Sequence, residues 1–172
     1  FAKVTASHGD LPLGYYVEKG FEKGAAKVFA STPEMIRYFE TRLGVPFPWQ
    51  KYDQIVVRDF VSGAMENTTA SIFMEELLLD EREALDSEWD YIIAHELFHQ
   101  WFGDLATSES WSNLPLNESF ATYGEYLWNE YKYGRDAADA QLDDPGAARG
   151  VCAQRARAHS GGQWANDSPA SA

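Results

Sequence analysis

The chain has 172 residues, 45% hydrophobic and 15% aromatic, with 27 acids against 14 bases and a formal net charge of -13. That size and apolar content exclude a disordered chain, and the negative balance excludes a broad nucleic-acid platform, because it repels phosphate backbones. A single cysteine, Cys152, excludes an internal disulfide framework and a cysteine-based zinc site.

The first residue is Phe1 rather than Met, which reads as a piece of a longer or processed chain. No signal-like segment opens the sequence, and no apolar run of membrane-spanning length occurs, so no transmembrane segment is expected. Compartment and oligomeric state stay open. Residues 1–20 read as extended pieces broken by Gly9, Pro12 and Gly14, with Leu13, Tyr15, Tyr16 and Val17 as a short strand. Thr32-Pro33 marks a helix start, Met35, Ile36, Phe39 and Leu43 follow at helical spacing, and Gly44 ends the run. Pro46-Phe47-Pro48-Trp49 is a loop, since two prolines in three residues break regular structure. Gln54 to Arg58 and Ser71 to Met74 are strand candidates, and Glu75 to Asp90 is a partly solvated connection. Ser87 and Asp90 have the spacing of a capping box. An apolar, buried helix is predicted from Glu88 to Phe102, ended by Gly103, and a second from Pro115 to Tyr133, ended by Gly134. Helices with a few strands and no regular βαβ alternation give an α+β class, mainly helical with a small sheet.

Charge divides the chain. Residues 1–144 hold 11 bases and 26 acids, a balance of -15, whereas residues 145–172 hold three bases and one acid, a balance of +2. This tail has no Leu, Ile, Phe or Tyr, so it cannot bury enough apolar surface to offset its ordering entropy. It is expected to be disordered or foreign to the fold, with Cys152 a bystander. His8 and His159 read as surface residues.

The predicted buried helix contains His95-Glu96-Leu97-Phe98-His99, an HExxH pattern. Residues four apart share a helical face, so both imidazoles reach one ion, while Glu96 is offset beside it, where it can take a proton from water. Two histidines and a glutamate buried without partners would cost several kcal/mol. Zinc suits such ligands, with one position left open. Glu118, near the start of the second helix, is placed for a third ligand if the chain reverses between the helices. It reads equally well as an acid favourable in a helix's first turn. Thr122, one turn further, is a weak candidate to orient a ligand.

Upstream lies Gly63-Ala64-Met65-Glu66-Asn67, by itself an ordinary loop or strand edge. Together with HExxH and a glutamate after eighteen intervening residues, it resembles the zinc aminopeptidases of the aminopeptidase N and leukotriene hydrolase superfamily, which are gluzincins. His99 to Gly103 (HQWFG) is similar to a block of that family. Trp111 to Ala121 (WSNLPLNESFA) is similar to its WxxLWLNEGFA, with Pro115 for Trp and Ser119 for Gly. The resemblance covers residues 1–144.

The resemblance implies a truncated thermolysin-like metallopeptidase domain over residues 17–144, with residues 1–16 as a remnant of an N-terminal β-domain and residues 145–172 outside it. It implies one zinc ion per chain, held by His95, His99 and Glu118, and Glu96 as general base and then acid. It implies Glu66 on the free α-ammonium of a peptide substrate, Gly63 and Ala64 on its backbone, and Met65 and Asn67 completing the substrate-binding motif. The activity implied is hydrolysis of N-terminal peptide bonds by zinc-activated water. Family members place a transition-state tyrosine further downstream than this chain extends. Tyr123, Tyr126, Tyr131 and Tyr133 lie too close to Glu118 to match it and read as helix packing. The 172 residues alone are therefore expected to cleave amino-acid amides little or not at all, and a catalytically inactive zinc-binding fragment is the alternative. A thermolysin-like endopeptidase shares the ligand logic, but Glu66 in its motif disfavours it.

Overall fold

The computed structural model describes residues 1–143. Expectations for the tail, including the disorder of residues 145–172 and the parts given to Cys152 and His159, lie outside the described residues.

Strands β1 (Ala2–His8) and β2 (Leu11–Val17) form an antiparallel hairpin. Residues of β1 alternate between half-buried and exposed, as in a strand with one wet face. The chain then makes two helices, α1 (Glu22–Val28) and α2 (Thr32–Leu43), and returns as β3 (Tyr52–Val56), parallel to β2. β4 (Ala64–Met65) and β5 (Ala70–Phe73) complete a five-stranded mixed sheet in the order β1-β2-β3-β5-β4. β4 forms one edge, antiparallel to β5, and β5 runs parallel to β3. The hairpin thus shares one sheet with the rest of the described chain.

α2 follows its sequence closely. Pro33 sits in the first turn, Met35, Ile36 and Phe39 are buried, and Gly44 closes the helix at φ 66°, a left-handed conformation that costs glycine little. β3 begins two residues earlier than the apolar run predicts. Tyr52 and Asp53 join the strand because the Tyr52 hydroxyl bonds Ser71 (2.8 Å) and the Asp53 N–H donates to Thr69 O (2.8 Å) across the sheet. The 75–90 connection holds two short 3-10 turns, Glu75–Leu77 and Glu83–Asp86, and buries Leu77 and Leu78.

The central helix α3 spans Asp90–Phe98, four residues short of the predicted end. Beyond Phe98 the backbone tightens, with Gln100 N–H bonding Leu97 O and Trp101 N–H bonding Phe98 O. The Trp101 indole donates to the carbonyls of Val45 and Pro46 (3.2 and 3.3 Å), which ties this turn to the proline loop. The expected Ser87/Asp90 capping box is not made: α3 has no side-chain cap, and the Asp90 carboxylate instead accepts the Trp128 indole N–H at 3.2 Å. His8, expected at the surface, is half-buried there and pairs with Glu40 at 3.0 Å.

α4 (Leu114–Tyr133) lies along α3, and α5 (Arg135–Asp143) lies along α4 through Tyr126–Asp139 and Asn129–Gln141 hydrogen bonds of 2.9 and 2.8 Å. Tyr131 stacks on Tyr38 and Tyr123 on Tyr126, as packing predicts, while Tyr123, Tyr131 and Tyr133 all keep much of their surface exposed. α1 and α5 have no clear sequence signal. The first is seven residues long with Gly24 inside it, and the second is largely polar around a buried Ala138. Around Phe39 the two halves join: its ring meets Phe98 at 4.9 Å and Trp101 at 6.2 Å. No helix among the described residues is long and apolar enough to cross a membrane.

Candidate metal centre

His95 lies inside α3 and His99 at its C-terminal cap, one turn apart, and neither ring has measurable solvent exposure. Their Nε2 atoms face each other at 3.1 Å. From α4, Glu118 brings Oε2 to 3.3 Å from His95 Nε2 and 3.7 Å from His99 Nε2. The three ligand atoms all lie within 4.8 Å of one another, so one ion can meet all three. The first-turn role left open for Glu118 is thereby excluded as its whole use: the side chain points at two buried imidazoles.

The outer ring nitrogens are held as well. His99 Nδ1 lies 3.1 Å from the Phe102 carbonyl. A carbonyl only accepts, so Nδ1 carries the proton, and in the neutral ring Nε2 presents its lone pair inward. His95 Nδ1 bonds Glu125 Oε1 at 2.6 Å, and the other Glu125 oxygen accepts from Gln141 of α5 at 3.3 Å. Such outer partners fix ring orientation in metal sites. Glu125 escaped the sequence reading, which singled out Thr122, one turn earlier. The available signal was its spacing: Glu125 follows Glu118 by seven residues, two helical turns, on the same face.

Burial alone would drive His95 toward neutrality. Hydrogen bonds to Glu118 and Glu125, with the charge of Glu96, more than offset it and push the group up to about 10. A proton on the inner nitrogen of His95 is thereby favoured, in the space between the three ligand atoms. A divalent cation would take that place. The donor set of two imidazole nitrogens and one carboxylate oxygen fits zinc, with room for a further ligand.

Glu96 is fully buried and lies beside the three: together with Glu66 and His99 it forms a second group whose ligand atoms lie within 4.8 Å of one another. Glu66 comes from the turn after β4. Of its neighbours, Gly63 (φ 74°) and Ala64 are buried, while Met65 and Asn67 are exposed. Tertiary structure therefore gathers His95, His99, Glu118, Glu96 and Glu66 at one place, and sets Gly63 and Ala64 along the adjoining sheet edge.

Comparison with known proteins agrees with this geometry. The profile of the peptidase family M1 domain matches residues 28–159. The chain is similar to glutamyl aminopeptidase of Bos taurus, 39% identical over 136 residues, covering 76% of this chain and 14% of the relative. It is similar to aminopeptidase N of Streptomyces lividans (38% over 120 residues; 67% of this chain, 14% of the relative). It is also similar to aminopeptidase N of Homo sapiens (38% over 132 residues; 74% of this chain, 12% of the relative). The chain thus spans about a seventh of the length of these relatives.

Proposed function

Because the chain belongs to the peptidase family M1 domain family, we propose that its buried centre is the zinc site of an aminopeptidase with a thermolysin-like catalytic fold. The observation that carries this reading is the convergence of His95, His99 and Glu118 on one point, with Glu96 and Glu66 grouped beside them. Zinc, when bound, supplies Lewis acidity toward the scissile carbonyl. His95, His99 and Glu118 would hold it, and Glu125 and the Phe102 carbonyl keep the two rings in register.

Glu96 accepts a proton from the attacking water and returns it to the leaving nitrogen, so the C–N bond breaks to a carboxylic acid and an amine, and the water's second proton then passes from the acid to the amine, leaving a carboxylate and an ammonium. Its full burial strengthens both transfers by excluding competing solvent. Glu66 receives the substrate's α-ammonium. A half-buried anion facing an ammonium disfavours substrates that lack one, which makes the enzyme act at free N-termini. Edge strand β4, which Gly63 precedes and Ala64 opens, would lie alongside an extended peptide.

Metal analysis after dialysis tests the centre. One zinc per chain is expected, lost in His95→Ala and kept in Glu96→Gln; a chain that folds in zinc buffer yet holds no metal overturns the reading. Ammonium recognition is tested with leucine hydroxamate against its N-acetyl derivative. The free amine is expected to bind at least tenfold tighter, and Glu66→Gln to abolish that preference. Equal binding of the two by the unaltered chain would favour an endopeptidase instead.

A further inference from the structure

Glu66 has little regular structure to hold it. β4 is two residues long, and the chain from Glu66 to Thr69 is a turn closed by an Ala70 N–H bond to Asn67 O at 2.8 Å. At its end Thr69 has φ 65°, the left-handed region that a β-branched residue rarely adopts. Such a conformation persists only where surrounding contacts over-determine it.

Those contacts converge on Gln100, the residue after the second histidine. Its side chain is fully buried. Its Oε1 accepts the Thr69 N–H at 2.9 Å, and its Nε2 donates to the Glu66 carbonyl at 3.1 Å. One amide thus grips both ends of the Glu66–Thr69 turn. On the far side, Thr69 O accepts from Asp53 of β3 (2.8 Å), and the Gln100 carbonyl accepts the Trp49 indole N–H (3.3 Å). A glutamine suits this place because it alone combines a donor and an acceptor at that reach without charge. A carboxylate there would lose the donor and add a further acid to a neighbourhood that already holds Glu66, Glu96 and Asp104.

We propose that Gln100 is a positioning residue for the Glu66 carboxylate, setting its distance from His99 and hence from the metal. The inference rests on the ammonium role proposed for Glu66, but the clamp itself does not. Its consequence is specific: losing the clamp lets the turn relax, so Glu66 drifts while the three metal ligands stay in place.

The test uses the zinc-loaded 172-residue chain and Gln100→Met, of similar volume without the amide. Amide hydrogen exchange at Thr69 is expected to speed at least tenfold, with zinc still at one per chain. The preference for leucine hydroxamate over its N-acetyl form is expected to fall at least tenfold, while affinity for the acetylated form is unchanged. Unchanged Thr69 exchange, or an equal loss of affinity for both hydroxamates, overturns the proposal. If the methionine variant does not fold, Gln100→Glu keeps the acceptor and removes the donor. It is expected to keep Thr69 protected while lowering the preference, and a preference equal to that of the unaltered chain overturns the proposal. If the unaltered chain shows no preference, the role of Glu66 fails, and the clamp is decided by Thr69 exchange alone.

Discussion

Gly124→Ala is expected to lower zinc affinity by about 10–100-fold, the range seen when groups supporting metal ligands are disturbed. It is also expected to destabilise the chain. On an exposed helix the same change gains up to about 1 kcal/mol in helix propensity. Here a Cβ at position 124 would lie 2.6 Å from Phe98 Cγ and 2.8 Å from Phe98 Cβ. Phe98 cannot move aside, because its ring is buried, meets Phe39 at 4.9 Å and stacks on Phe102 at 5.2 Å. Overpacking of this kind costs about 1–3 kcal/mol, which exceeds the propensity gain. The remaining relaxation is for α4 to move off α3. Because Glu118 and Glu125 both stand on α4, one shift loosens a ligand and the support of another. Competition with a chromophoric chelator reads the affinity, and urea unfolding reads the stability. A variant that is more stable, with zinc affinity intact, would show that the close approach does not hold the centre together.

The second large effect is on pH. Because burial of His95 is outweighed by hydrogen bonds to Glu118 and Glu125, which push it up to about 10, zinc bound there would compete with a proton. Zinc affinity is therefore expected to rise about tenfold per pH unit between pH 6 and 8, accompanied by release of one proton per ion. Titrations in buffers of different ionisation enthalpy check this, and a pH-independent affinity would remove the proton from the centre. Stability of the metal-free chain has the opposite slope. A histidine raised above its ordinary 6.5 contributes stability that is complete below that value and lost as pH rises through about 10. Urea midpoints of the chelator-treated chain are expected to fall over that window.

Much of the site could be read along the chain because it is local. His95 and His99 share a face by helical period, and Glu96 is turned aside by the same period. α2 and α4 announce themselves through Pro33, Gly44 and Gly134 and through apolar spacing. Where the reading slipped, a distant partner had intervened. Asp90 was expected to cap α3, but Trp128 of α4 holds its carboxylate. The apolar pattern predicts α3 to run to Phe102, but Trp101 and Gln100 bond to loops before and after β3, and the helix stops at Phe98.

Sequence by itself determined the ligand types, their helical spacing and the presence of a charged group beside them, because each follows from backbone geometry within one helix. Tertiary structure alone decided that Glu118 reaches both rings, that Glu125 supports His95, and that Gln100 grips the Glu66 turn. Those three facts depend on how closely α4 and the β4–β5 turn approach α3. That approach is set by a missing side chain at Gly124 and by a buried amide at Gln100, whose effects appear only when segments far apart in sequence are in contact.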